Sequence, residues 1–284
     1  MQVLATVAAV RAALSGARGN VGLVPTMGAL HEGHLALVRR ARAENECVVV
    51  SIFVNPAQFG PDEDFASYPR NTERDLELLR VENVDYVFMP AVEEVYPEGF
   101  ATSVDVGPIA EPLEGKHRPG HFLGVATVVL KLLNIVRPTR AYFGRKDAQQ
   151  LAVIRAMVRD LDVPVEIVPV ETVREPDGLA MSSRNAYLSP AERKSALVLS
   201  NALSLAREMW TRGARDAEAF RGRMRELIES EEAATIEYVS VANAGTMQEV
   251  DRIEGPTLIS LAVRIGRTRL IDNITLGDGQ EAAG

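Results

Sequence analysis

Val21-Gly-Leu-Val-Pro-Thr-Met-Gly-Ala-Leu-His31-Glu-Gly-His34 decides how this chain is read. An apolar run at 21–24 passes through Pro-Thr and Gly28 into a helical pattern carried by Leu35, Leu37 and Val38, which spells strand, turn and helix. The free N–H groups and the dipole at such a helix start favour an anion. Two imidazoles placed there donate hydrogen bonds to phosphate oxygens as negative charge shifts during a reaction. The stretch therefore points to nucleotide phosphate chemistry. A zinc-protease helix needs its histidines at i, i+4. Here they stand at i, i+3 with no third ligand following. The plainer alternative is a pair of solvent-facing histidines capping a helix. The other two of the four histidines, His117 and His121, lie in a polar Gly/Pro-rich loop.

Outward from this stretch, β-branched apolar runs alternate with helical patterns. A helix is expected over about 33–43, and the nearly continuous apolar run 47–54 has the signature of a parallel strand covered on both faces. Residues 72–80 form an amphipathic helix capped by Asn71 or Thr72, and 84–89 the next strand. A Pro/Gly-rich passage then leads to an apolar helix at 122–136, stopped by Arg137-Pro138. A short strand at 141–143, a helix at 147–159 and a strand at 165–170 follow. This repetition predicts right-handed crossovers in a Rossmann-like, doubly wound parallel sheet, with ligands beyond the strands' carboxyl ends. Past Glu175-Pro-Asp-Gly178 the pattern changes to two helices, about 190–212 and 216–230, and three strands at 236–241, 257–263 and 269–274. The expected organisation is α/β: a nucleotide-binding first domain, 1–176, and a smaller α+β domain, 177–284, acting as its lid. Residues 277–284 read as a loose tail.

Composition sets limits on function. The 284 residues suffice for one large or two modest cores. A formal net charge of -8 argues against a broad nucleic-acid surface. The single cysteine, Cys47, excludes an internal disulfide and fits a reducing compartment; core packing is its expected role. No stretch has the length of a membrane span. The N-terminus lacks a basic and apolar leader pattern, and Thr6 reads as the cap of a short helix. A cytoplasmic enzyme is the expectation.

Other polar groups fall at strand ends. Asn55 and Gln58 follow the run 47–54, and their amides suit hydroxyl and carboxylate recognition, although an Asn-Pro turn explains Asn55 equally well. Lys146, in Gly144-Arg-Lys-Asp147, opposes the helix dipole, which an anion at that end would relieve; Asp147 is a natural N-cap. The loop Ser182-Ser-Arg-Asn185 offers hydroxyls and a guanidinium for phosphate. Arg118-Pro-Gly-His121 is either a wall of the same pocket or a plain loop.

Taken in order, these segments resemble the pantothenate synthetase (pantoate–β-alanine ligase) family. The resemblance rests on Pro25-Thr-Met-Gly, His31-x-Gly-His34, Ser51-Ile-Phe-Val-Asn-Pro-x-Gln58-Phe, Tyr68-Pro-Arg and Arg118-Pro-Gly-His-Phe. Gly144-x-Lys-Asp, Gln149-Gln-Leu, Asp177-Gly-Leu-Ala-Met-Ser-Ser-Arg-Asn and, more loosely, Arg269-Leu-Ile-Asp-Asn273 complete it. It implies ATP-dependent condensation of pantoate with β-alanine through a pantoyl adenylate, releasing pyrophosphate and AMP, with pantoate bound by the first domain. It also implies that Met27, Gly28, Ala29, Leu30, His31, Glu32, Gly33 and His34 contact ATP, with His34 catalytic and His31 beside it. Gly144, Arg145, Lys146, Asp147, Met181, Ser182, Ser183 and Arg184 would contact the nucleotide as well, Lys146 with a catalytic part. Val173 would offer backbone to adenine, Gln58 and Gln150 would hold pantoate, Gln58 would also border β-alanine, and Asn55 would belong to the same substrate-binding set. Mg2+ would travel on the phosphates without assigned protein ligands, and a homodimer is expected. Asp75 is a conceivable outer metal ligand, but a surface helix carboxylate is the simpler reading. Arg145 stands where the family usually has Glu and is expected to face solvent or a phosphate; Ala148 stands where an aromatic residue is usual. The rival functions are a nucleotidyltransferase adenylating a phosphorylated acceptor, which would call for more Arg and Lys, and an ATP-sensing module without turnover.

Overall fold

A computed structural model describes residues 1–17, 19–61 and 63–277; the expected tail beyond 277 lies outside the described residues. By compactness the chain divides into one unit of residues 1–110, 114–145 and 150–173, and another of 111–113, 146–149 and 174–284.

In the first unit the elements run β1 (Gln2–Leu4), α1 (Val7–Leu14), β2 (Val21–Thr26), α2 (Glu32–Glu44), β3 (Cys47–Ile52), α3 (Thr72–Val81), β4 (Tyr86–Phe88), α4 (Val92–Val95), α5 (Glu114–His117), α6 (His121–Val136) and β5 (Arg140–Gly144). The helix α7 (Ala148–Asp160), which belongs to this unit from Gln150 on, and strand β6 (Glu166–Val170) follow. All six strands are parallel, in the order β1-β4-β3-β2-β5-β6. The order reverses between β2 and β5, and that is where a doubly wound sheet opens a crevice at its carboxyl edge. β3 shows why both faces are covered. Cys47 and Val49 pack into a core with Phe122, Val129, Leu133, Ile154 and Met157 from α6 and α7. Val48, Val50 and Ile52 point the other way, into a core with Val38, Ala41 and Leu79 from α2 and α3. Burial pushes the Cys47 thiol up to about 11, which keeps it an unreactive packing group.

Thr6 caps α1 by accepting from the Ala9 N–H, and Asn71 caps α3. The edge strand β1 was not expected. Three residues are too few for a periodic signal, and pairing with β4 makes the strand.

The second unit contains α8 (Pro190–Ser195), α9 (Leu197–Thr211), α10 (Ala217–Glu229), β7 (Ala234–Asn243), β8 (Thr257–Ile265) and β9 (Thr268–Leu276). The three strands form an antiparallel sheet, β7-β8-β9, packed with α9 and α10 through Leu199, Leu203, Phe220, Met224, Leu261 and Val263. The single helix expected at 190–212 is broken at the fully buried Ala196. No helix among the described residues is long and apolar enough to cross a membrane.

Candidate active site

The sheet's neighbouring strands β2 and β3 deliver the first cluster. β2 ends at Thr26, and the chain turns through Gly28 (φ 82°) and Ala29 (φ 49°) into α2. Side chains hold this turn. Thr26 Oγ1 donates to the Ser51 carbonyl at 2.7 Å and accepts from the Gly28 N–H at 3.3 Å. The buried carboxylate of Asp75, on α3, accepts from the Ala29 and Leu30 N–H groups, both at 2.8 Å.

Asp75 is thus no surface carboxylate. It shares the inward face of α3 with Leu79, four residues on, and its two oxygens are spent on the turn. The 75/79 spacing is the signal by which it was legible as buried.

The histidines form a reciprocal cap. His31 Nδ1 accepts from the Gly33 N–H at 3.1 Å, and the His31 N–H reaches His34 Nδ1 at 3.4 Å. A ring nitrogen that accepts carries no proton, so in each neutral imidazole the N–H sits on Nε2. The rings lie 4.1 Å apart and tilted by 38°. This narrows the set of backbone N–H groups open to an anion at the turn and helix start. The N–H groups of Gly28, Ala29, Leu30, His31 and Gly33 all have side-chain acceptors, because burying the turn requires them to be satisfied. The donors suited to an anion are the imidazole Nε2–H groups.

After β3, Asn55 is almost fully buried, and its amide is saturated by protein. Oδ1 accepts from the Ala57 N–H at 3.3 Å and the Tyr96 hydroxyl at 2.7 Å; Nδ2 donates to Gln58 Oε1 and the Gly124 carbonyl, each at 3.2 Å. With two donors and two acceptors in use, Asn55 builds the turn and orients Gln58. Gln58 Nε2 in turn lies 3.2 Å from Met27 Sδ, joining the β3 turn to the β2 turn. Its second amide hydrogen has no partner among the described residues.

The backbone of Gln58 is fixed as well. Its carbonyl accepts from His121 Nδ1 at 2.8 Å and from Arg118 Nη2 at 3.3 Å. Arg118 Nη1 donates to His121 Nε2 at 3.0 Å, and the guanidinium forks onto Glu63 at 2.6 and 2.7 Å. Burial, with the Arg118 charge beside it, pushes the His121 imidazole down to about 4. Burial alone would raise the Glu63 carboxyl; the Arg118 hydrogen bonds outweigh it and leave the group below its usual range. Arg118 and His121 are therefore neither plain loop nor bare pocket wall: they anchor Gln58. Gly124 on α6 is part of this support, since a Cβ there would overlap the Ala57 carbonyl. Tyr96, Gly124 and the role of His121 escaped the sequence, because each acts on the Asn55–Gln58 turn from a distant segment.

After β5, Arg145–Asp147 forms a single 3-10 turn leading into α7. Lys146 Nζ lies 3.7 Å from Asp147 Oδ1. In the second unit, Ser182 Oγ caps the short 3-10 helix Ser183–Tyr187 by accepting from the Arg184 N–H at 3.2 Å. The loop before it is braced by Arg193 on Glu175 and Asp177, at 2.7 and 2.9 Å.

The model of one family, Pantoate-beta-alanine ligase, matches residues 2–275. The chain belongs to that family. It is 60% identical over 276 residues to the pantothenate synthetase of Roseiflexus castenholzii, covering 97% of this chain and 99% of that protein. It is 56% identical to that of Herpetosiphon aurantiacus, covering 97% of this chain and all of the relative. The crystal structure of pantothenate synthetase from Thermus thermophilus matches with a TM-score of 0.93 at 52% identity, over 96% of this chain and 99% of that one. A pantoate-beta-alanine ligase from Francisella tularensis, complexed with beta-gamma ATP and beta-alanine, matches with a TM-score of 0.80 at 34% identity, over 96% and 97%. Arg145, for which the sequence left solvent or a phosphate open, pairs with Glu171 at 2.8 Å.

Proposed function

We propose that this ligase activates pantoate as its adenylate and then couples it to β-alanine. In the first step a pantoate carboxylate oxygen attacks the α-phosphorus of ATP; the bond to the β-phosphate oxygen breaks and pyrophosphate leaves. In the second, the β-alanine amine attacks the acyl carbon, the C–O bond to phosphate breaks, and AMP leaves with pantothenate formed. Activation is needed because a free carboxylate is a poor acyl donor to an amine.

In this reading His34, with His31 beside it, donates Nε2–H groups to phosphate oxygens as charge builds during pyrophosphate departure. Lys146 neutralises the same charge, aided by Ser182, Ser183 and Arg184. Met27–His34, Gly144–Asp147, Val173 and Met181 line the nucleotide. Gln58 and Gln150 hold pantoate, Gln58 also borders β-alanine, and Asn55 serves by orienting Gln58. Mg2+ supplies charge neutralisation from the phosphates. A homodimer working in the cytoplasm completes the proposal.

The observation that carries this reading is the His31–His34 cap, which fixes two ring donors at the carboxyl end of β2. Removing one such donor costs about 3 kcal/mol, or on the order of a hundredfold in rate. His34→Ala and Lys146→Ala are each expected to stay folded and lose most pantoate-dependent AMP release. AMP release that ignores β-alanine or pantoate, or near-normal rates in either variant, would contradict the assignment.

A further inference from the structure

Two neighbouring residues of β9, Asp272 and Asn273, are engaged in contacts that sheet formation does not require. Asp272 is buried and takes both guanidinium arms of Arg174, at 2.6 and 2.9 Å; it also accepts from the Asn273 N–H at 2.8 Å. Arg174 follows Val173 directly and donates to the Gly178 carbonyl at 3.0 Å, which ties down the loop leading to Ser182. Asn273 Nδ2 donates to the Lys146 carbonyl at 2.7 Å. β9 also lies against the short helix Ser183–Tyr187. One strand thus touches the lysine turn, the segment after Val173 and the hydroxyl-rich helix, all of them distant from β9 in sequence.

We propose that Asp272 and Asn273 are positioning residues for ATP: Asn273 fixes the Lys146 backbone, and Asp272, through Arg174, fixes the loop that presents Ser182. The proposal rests on the assignment of Lys146 to the phosphates. A helix-start lysine has four rotatable bonds and a strongly hydrated ammonium. Fixing its Cα with one more hydrogen bond narrows where the ammonium is delivered, and a misplaced group loses rate steeply. β9 itself is held along its whole length by β8, so the brace is anchored in a sheet rather than in a loop.

The test uses the full chain with two substitutions. Asn273→Ala removes the donor, and Asn273→Asp keeps the shape while turning an oxygen toward the Lys146 carbonyl. Affinity for a non-hydrolysable ATP analogue is measured by calorimetry, together with pantoate-dependent ATP–pyrophosphate exchange and Tm. Each variant is expected to weaken analogue binding about tenfold, as loss of one hydrogen bond from a built support would, while the pantoate KM is kept. In the Lys146→Ala background the same substitutions are expected to cost nothing further, because acting through Lys146 makes the two losses non-additive. Wild-type binding by both Asn273 variants, or an equal further loss without the lysine, overturns the proposal. Unchanged binding and exchange in Lys146→Ala alone instead defeats the lysine assignment, and the single variant tells the two failures apart.

Discussion

Asp75→Asn is the substitution that bears most directly on how the β2 turn is held. The carboxylate accepts two N–H bonds of 2.8 Å in a buried setting. The amide keeps one acceptor, so either the Ala29 or the Leu30 N–H is left facing an NH2 group. Losing one charge-assisted bond and orphaning its buried donor costs about 3 kcal/mol. Against this, Ala29 sits in the left-handed region at φ 49°, a conformation that itself costs on the order of 1 kcal/mol and persists only under restraint. Gly28, also left-handed, has Asp75 Oδ2 within 3.0 Å of where a Cβ would stand, so the turn is fitted to this carboxylate. Without it Ala29 is expected to relax and carry the His31–His34 cap away from its place. Thermal unfolding and pyrophosphate exchange, read on the same samples, separate the two consequences. If the full 3 kcal/mol appeared as stability, Tm would fall by roughly 6–12 °C. Whatever part the relaxing turn absorbs is expected as lost exchange rate, up to about a hundredfold. A variant with wild-type Tm and wild-type exchange would refute the reasoning.

Further outcomes follow from the Gln58 support. Gly124→Ala puts a methyl group into the Ala57 carbonyl; it is expected to cost about 1–3 kcal/mol in Tm measurements and to raise the pantoate KM by about tenfold or more as the turn is displaced. The His121 imidazole, held near 4 when folded, takes up a proton near 6.5 when unfolded. The unfolded chain therefore binds more protons between these values, and stability is fully present above about 6.5 and lost as pH falls toward 4. The loss from this group between pH 7 and pH 5 amounts to about 2 kcal/mol. His121→Gln is expected to flatten that part of the Tm-against-pH curve, and an unchanged slope would remove His121 from the account.

Much of this molecule was legible because its local signals were strong. The nearly continuous apolar run at β3 and the alternation of strand and helix pointed to a doubly wound sheet, which the order reversal at β2 and β5 bears out. The motif residues at strand ends could be named from the sequence, but what their side chains bond to could not. The N–H groups of the turn into α2 are taken by Thr26, Asp75 and His34, and that of Gly33 by His31. Asn55, which the sequence left between structure and recognition, has its amide filled by Ala57, Gln58, Tyr96 and Gly124. The bonds to Asp75, Tyr96 and Gly124 each span 41 residues or more, and tertiary contact of that range leaves no local periodicity to read. The same holds for Asn273, whose partner Lys146 is 127 residues distant.

The central claim, that pantoate is activated by adenylation at this site, is tested most directly by isotope transfer. The complete reaction is run with pantoate labelled with 18O in both carboxylate oxygens, and the AMP and pyrophosphate are analysed by mass spectrometry. Adenylation predicts one 18O in AMP and none in pyrophosphate, because the oxygen joined to the α-phosphorus stays there when the amine displaces AMP. Unlabelled AMP, or label in pyrophosphate, would contradict it.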